Sequence, residues 1–196
     1  MHIGVMGGTF DPIHIGHLIA AEQARDRMEL DEVWFMPAFR PPHKASAPVA
    51  EARHRLEMVR LAIAAAKPHF RLCLHEFERE GVSYTYNTAQ ELIRRYPGHR
   101  FSWIIGADMV RFLPQWHNID ELVKIVSFIG LPRPGYAPAE ADLPEAIRAA
   151  VRMTDMPAVD ISSTAIRNMA ARGRSFRFLV PEAVYEYIRE NRLYAT

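Results

Sequence analysis

The sequence predicts an α/β fold, a doubly wound parallel sheet with helices on both faces, in one compact domain. Three observations predict it. Short apolar runs alternate with helix-period stretches along the chain, the pattern of a parallel sheet covered on both sides. Gly7 and Gly8 close the first apolar run, where a strand must turn sharply into a helix. At 196 residues the chain suits a single core, and a domain of that size buries roughly 70% of its unfolded surface.

The elements follow in order. His2 to Gly7 reads as a buried strand, and Ile15 to Met28 as a helix with Leu18, Ile19, Ala21, Ala24 and Met28 on one face. Glu32 to Pro37 is the second strand, after which Pro41-Pro42 imposes an extended loop through Val49. Glu51 to Ala66 is an amphipathic helix with Leu56, Val59, Ile63 and Ala66 on its apolar side. Arg71 to Phe77 is a strand, and Thr85 to Tyr96 a helix that Pro97-Gly98 ends. Phe101 to Gly106 is a strand, Ile119 to Val123 a short helix, and Ile125 to Leu131 another strand. Residues Pro132 to Pro144 form a loop rich in Pro and Ala. Leu143 to Arg152 holds a turn or two of helix, and Met153 to Asp160 a weak strand. Ser162 to Arg172 and Pro181 to Arg192 are the last helices. No internal repeat or low-complexity segment interrupts the pattern.

Composition narrows the function classes. Lys plus Arg is 24 against 23 for Asp plus Glu, a net charge of +1. That balance supplies no global field for nucleic acid or an anionic membrane, so neither is expected as a partner and any phosphate recognition is local. The single cysteine, Cys73, cannot close an internal disulfide, and the chain reads as intracellular and cytoplasmic. The opening MHIGVMGG has no charged n-region followed by a long apolar run. No run of about 18 apolar residues appears. The oligomeric state is left open by the sequence, a homo-oligomer included.

In a doubly wound sheet ligands bind beyond the carboxyl ends of the strands, near a switch in strand order. Three segments fall at such ends: GGTFDPIHIGH at 7–17, PAFRPPHK at 37–44, and GAD at 106–108. In the first, Gly7 and Gly8 let a ligand approach the backbone, and the helix starting near Ile15 offers unpaired N–H groups to an anion. His14 and His17 are three residues apart, so within one helical turn they share a face. An imidazole with a reference pKa of about 6.5 donates hydrogen bonds and carries part of a positive charge, which suits polyphosphate oxygens. A helix cap or a surface position is the plainer reading of one such histidine. Zinc is another, but H-x-x-H here has no nearby third Cys or His ligand. The patterns G-x-x-x-x-G-K-[ST] and G-x-G-x-x-G are both absent. Asp11 is read as ordering the loop, ahead of metal binding.

GTFDPIHIGH resembles the (T/G)-F-D-P-x-H-x-G-H signature of the nucleotidylyltransferase superfamily, and ISSTAIR at 161–167 resembles its second signature, I-S-S-T-x-[IV]-R. The middle of the chain narrows the match. PPHK at 41–44, RHRLEMVRLAI at 53–63, SYTYNT at 83–88, IIGAD at 104–108, PQWHN at 114–118, RPG at 133–135 and the closing LVPEAVYEYIRENRLY are similar to the bacterial nicotinate-nucleotide adenylyltransferase family. The resemblance spans essentially the whole chain. Ala38-Phe39 departs from the more polar approach to the prolines that the family suggests.

The resemblance implies a Rossmann-like nucleotidylyltransferase domain over residues 1–196, with the helices from about 162 onward completing a phosphate site. It implies an enzyme that joins ATP to nicotinate mononucleotide, giving nicotinate adenine dinucleotide and pyrophosphate in NAD biosynthesis. The mononucleotide phosphate is already ionised, so the expected route is direct in-line attack without a covalent enzyme intermediate, helped by positioning and charge neutralisation. His14, His17, Lys44 and Arg167 are the implied catalytic residues. Gly8, Thr9 and Phe10 offer backbone N–H groups to ATP; Gly106 and Asp108 sit where a ribose fits. Ser162, Ser163 and Thr164 open a helix: one hydroxyl caps it, and the others take phosphate. Thr85, at a helix start, is expected to read the nicotinate carboxylate. Trp116 is expected to stack on the pyridine ring, although a tryptophan is more commonly core. Arg133 is expected on the mononucleotide phosphate. Mg²⁺ is the expected cofactor, bound mainly through ATP phosphates, and no protein metal ligand is assigned.

Three rivals remain at this level: an adenylyltransferase for another acceptor, such as nicotinamide mononucleotide or phosphopantetheine; a nucleotide-binding regulatory module without turnover; and a nucleic-acid binder. The joint presence of His14, His17, Lys44 and Arg167 disfavours the second, and the near-zero net charge the third.

Overall fold

In the computed structural model, which describes residues 1–39, 49–79, 84–132 and 142–195, six strands form one sheet: β1 (His2–Gly8), β2 (Glu32–Pro37), β3 (Phe70–Leu72), β4 (Arg100–Gly106), β5 (Ser127–Leu131) and β6 (Val151–Met153). The order is β3-β2-β1-β4-β5-β6, and each neighbouring pair runs parallel. This is the doubly wound arrangement the alternation predicts, with the reversal of strand order between β1 and β4. Among the described residues the helices are α1 (Ile15–Arg27), α2 (Ala52–Ile63), α3 (His75–Arg79), α4 (Thr85–Arg95), α5 (Ala107–Val110), α6 (Ile119–Ile125), α7 (Glu145–Ala150), α8 (Ser163–Ala171) and α9 (Glu182–Glu190). None is long and apolar enough to cross a membrane.

The period-2 geometry of the strands divides the core in two. On β2, Val33 and Phe35 face one cluster, whereas Trp34 and Met36 face the other. β5 does the same with Ile129 and Leu131 against Phe128. The first cluster draws in Ala21 and Ala24 of α1, Met58, Val59 and Ile63 of α2, Ile166 of α8, and Val184 and Ile188 of α9. The second is covered by Ala89 and Leu92 of α4, Val110 of α5, Leu122 of α6 and Ile147 of α7. Strands buried on both faces read as continuous apolar runs, which is why EVWFMP and FSWIIG were legible.

Several boundaries differ from expectation. The strand expected at Arg71 to Phe77 ends at Leu72, and the chain then turns into α3. β3 pairs with β2 over only three residues at the sheet edge, so the alternation in RLCLHEF has no ladder to extend it. The weak strand expected at Met153 to Asp160 is instead β6, Val151–Met153, and no strand or helix covers 154–160. On α2 the buried set is Arg55, Met58, Val59 and Ile63, so Arg55 and not Leu56 faces inward. The loops expected at 41–49 and 132–144 fall mostly outside the described residues.

α3 carries one pH-sensitive group. Burial pushes the Glu76 carboxyl from its ordinary 4.5 up to about 7, the Arg79 guanidinium opposing only part of the shift. A carboxyl whose folded pKa is raised favours folding most below about 4.5, and that contribution is lost as pH rises through about 7. Glu76→Gln is therefore expected to raise Tm at pH 8 and leave it unchanged at pH 4. A gain of about 1 kcal/mol, after discounting for solvent at a half-buried site, corresponds to roughly 2–4 °C. Thermal unfolding of both proteins at the two pH values checks this.

Candidate active site

A cleft of about 290 Å³ opens at the carboxyl ends of β1 and β4, where the strand order reverses. That size lies near the lower end for small-ligand sites, typically about 300–1,000 Å³. Its lining combines polar His14, His17 and Asp108 with apolar Met109, Met156 and Ile161. Gly7, next to the last residue of β1, and Gly106, the last of β4, also line it.

His14 is the N-cap of α1 and His17 its third residue. The His14 N–H donates to His17 Nδ1 at 3.2 Å, and the His17 N–H donates to the His14 carbonyl at 2.9 Å. An Nδ1 that accepts leaves the proton of the neutral His17 ring on Nε2, so its outer nitrogen is a donor. The two rings stack with centroids 3.7 Å apart, and Phe10 meets His17 edge-on at 5.1 Å. A Cβ on Gly16 would lie 3.1 Å from His14 Nδ1 and 3.2 Å from Cε1. The glycine between the histidines thus makes room for the stack, a role the sequence reading missed. Phe10 itself is buried, with φ +50, and a Cβ on Gly8 would come within 3.0 Å of its ring.

The loop between Phe10 and His14 is held from three directions. Asp11 is 2% exposed, and its carboxylate accepts from the Val49 N–H (2.8 Å), the Ala50 N–H (3.1 Å) and the Tyr194 hydroxyl (2.7 Å). The second motif docks onto the same loop. Arg167 Nη1 donates to the Asp11 carbonyl at 2.7 Å and lies 4.0 Å from Asp11 Oδ2, while Ser163 Oγ donates to the Pro12 carbonyl at 2.8 Å. Ser162 caps α8, its Oγ accepting from the Ala165 N–H at 3.2 Å. Thr164 Oγ1 accepts from Arg167 Nη2 at 3.3 Å. A guanidinium has five N–H donors, and these two bonds use two of them.

Arg55 braces the loop from below. It is 1% exposed and donates through Nη1 to the Thr9 and Ala38 carbonyls, both at 2.8 Å, and through Nη2 to the Phe39 carbonyl at 3.1 Å. One guanidinium thereby ties the crossover after β1 to that after β2. Burial depresses its pKa, and the nearby Asp11 charge acts in the opposite sense. At the end of β4, Gly106 is the N-cap of α5, and a Cβ there would fall onto Asp108 Oδ1. The glycine lets the carboxylate fold back against the strand end.

Of the expected site residues, His14, His17, Gly106 and Asp108 line this cleft, whereas Gly8, Thr9, Phe10, Ser162, Ser163, Thr164, Arg167, Thr85 and Trp116 lie outside its lining. Thr85 is the first residue of α4, and the ring of the preceding Tyr84 sits 4.6 Å from that of His117. The segments at 84–88 and 114–118 meet through this contact. Trp116 is half-buried and packs edge-on against Phe128 at 5.8 Å, so at least one edge of its indole belongs to the second core cluster. Lys44 and Arg133 lie outside the described residues.

The Cytidylyltransferase-like family model matches residues 5–169. A probable nicotinate-nucleotide adenylyltransferase of Exiguobacterium sibiricum is 50% identical over 196 residues, covering 100% of both chains. The nicotinate-nucleotide adenylyltransferase of Bacillus subtilis is 43% identical over 192 residues, covering 98% of this chain and 97% of that one. Among solved structures, a Plasmodium falciparum nicotinic acid mononucleotide adenylyltransferase complexed with NaAD superposes with a TM-score of 0.80. It covers 98% of this chain and 97% of the other at 21% identity, a likeness of fold. With relatives matching along its full length and both signature motifs docked on one another at the sheet's switch point, this chain belongs to the nicotinate-nucleotide adenylyltransferase family.

Proposed function

We propose that the cleft binds MgATP and that the enzyme transfers its adenylyl group to nicotinate mononucleotide, forming nicotinate adenine dinucleotide and pyrophosphate. The observation that supports this reading is the stacked pair His14 and His17, fixed by the α1 cap and lining the cleft at the switch point. An oxygen of the mononucleotide 5′-phosphate forms a bond to the α-phosphorus of ATP as the bond to the β-bridging oxygen breaks. The electron pair leaves with pyrophosphate, and no enzyme group is adenylylated. The attacking oxygen is already anionic, so the protein's part is to orient both substrates and neutralise charge on the leaving group.

Within this reading His17 donates to the α-phosphoryl oxygens and His14 supports it. The backbone N–H groups of Gly8, Thr9 and Phe10 line the phosphate chain. Gly106 and Asp108 meet the ribose, and the apolar lining residues Met109, Met156 and Ile161 suit a base. Arg167, Thr164 and the start of α8 complete the β- and γ-phosphate subsite, in keeping with the docking of Ser163 and Arg167 on the first motif. Lys44 adds a cation to the phosphates. Thr85, Trp116 and Arg133 take the acceptor through its carboxylate, pyridine ring and phosphate.

Mg²⁺ arrives as part of the substrate. Among the described residues no three His, Cys, Asp or Glu side chains converge as a metal set. Mg²⁺ keeps several waters and binds substrate phosphates readily, so the residues present fit an ion held on ATP, where it neutralises phosphate charge.

The test is pyrophosphate release from MgATP with nicotinate mononucleotide, nicotinamide mononucleotide or phosphopantetheine as acceptor. Release is expected to be fastest with the acid, by about tenfold or more over the amide, the loss that follows when a site built for an anion meets a neutral group. Equal rates with acid and amide would remove the carboxylate-reading role of Thr85. Preference for phosphopantetheine would overturn the acceptor assignment.

A further inference from the structure

The Asp11 carboxylate joins parts of the chain that no local motif connects. Its Oδ1 accepts from both the Ala50 N–H and the Tyr194 hydroxyl, while its Oδ2 accepts from the Val49 N–H. Three residues further on, His14 begins the helix that carries His17. Val49 and Ala50 come directly after the segment that contains Lys44. Tyr194 lies 183 residues away in sequence and is 9% exposed. Its φ of +64 is uncommon for a residue with a side chain, so surrounding contacts must hold it there. It packs in the same core cluster as Phe10 and Ile13, on either side of Asp11 in the loop. Burial, reinforced by the Asp11 charge, raises the phenol pKa, so the hydroxyl stays a neutral donor at any working pH.

We propose that Tyr194 is a positioning residue for ATP: through Asp11 it holds the loop bearing the histidines and the backbone after the Lys44 segment in the arrangement that receives the phosphates. The inference rests on the reading of the cleft as the ATP site. A dipolar O–H on a buried carboxylate fixes the direction in which that carboxylate presents its remaining lone pairs to Val49 and Ala50. Without it, one Asp11 oxygen loses a donor, and the two backbone segments lose their common reference. The acceptor side, taken as α4 and the 114–118 segment, shares none of these hydrogen bonds and is expected to be indifferent to them.

The experiment is calorimetric titration of the unsubstituted protein and Tyr194→Phe with a non-hydrolysable α,β-methylene ATP and Mg²⁺, paired with the KM for nicotinate mononucleotide. Loss of a hydrogen bond to a charged group predicts that the analogue binds about tenfold more weakly. The acceptor KM is expected to stay within about twofold, as for an independent site. Equal analogue affinities in the two proteins overturn the proposal while leaving the ATP site in place. A parallel weakening of analogue and acceptor also overturns it, because general loosening moves both. No binding of the analogue to the unsubstituted protein overturns the ATP reading, and the proposal with it. Should Tyr194→Phe fail to fold, Asp11→Asn is read by the same titration, since it puts an N–H where an acceptor is needed.

Discussion

Replacing His17 by alanine is expected to lower kcat by about 10²–10³-fold, equivalent to roughly 2.7–4 kcal/mol, the cost of removing one preorganised donor from a site of developing charge. The ring is well placed for such an effect. Its Nδ1 takes the His14 N–H, Phe10 meets one side and His14 stacks on it, so the ring is held in one orientation before substrate arrives. The same contacts set the stability cost. Alanine removes the Nδ1 acceptor at the start of α1, a loss of about 1 kcal/mol that leaves the fold intact. His17→Asn retains an N–H donor and is expected to recover part of the rate. Steady-state rates beside circular dichroism separate the two effects, and unchanged turnover in His17→Ala would contradict the role.

Arg55→Met is expected to destabilise the protein by about 3 kcal/mol, roughly 6–12 °C in Tm for a chain of this size. Methionine fills much of the same volume but leaves the Thr9, Ala38 and Phe39 carbonyls without their donor. Lysine is not expected to rescue, because one ammonium on a flexible stem cannot reproduce a planar fork that reaches three carbonyls at once. Thermal unfolding checks both variants, and a Tm within about 2 °C of the unsubstituted protein would show that solvent replaces the guanidinium at little cost.

How much of this was legible in the sequence depends on the range of the interaction concerned. β2 and β4 announced themselves as apolar runs, and the ends of α1 and α4 lie within one residue of expectation because their apolar spacing and flanking turns are local. The edge strands β3 and β6 were misplaced. With one neighbour each, their length is set by the partner's register and not by their own alternation. In the candidate site, the histidine pair and the cap at Ser162 follow from spacing within a single helical turn. The supports for that site were harder to see. Arg55 sits at the helical spacing of Met58, Val59 and Ile63, and an arginine on an apolar face was a readable sign of a buried clamp. The Asp11–Tyr194 bond left no such sign, because nothing in either local sequence specifies a partner 183 residues away. The docking of Ser163 and Arg167 onto Pro12 and Asp11 is intermediate: the two motifs were visible, but their direct contact was not.

In the proposed reaction the chain positions two substrates for direct transfer and never holds the adenylyl group itself. The stereochemical course at the α-phosphorus tests this most directly. ATP made chiral at that atom with sulfur and an oxygen isotope would be turned over with nicotinate mononucleotide and the configuration of the dinucleotide determined. A single in-line displacement predicts inversion. Retention would require two displacements, hence an adenylylated side chain, and would contradict an account in which the residues lining the cleft act only by holding and neutralising phosphate.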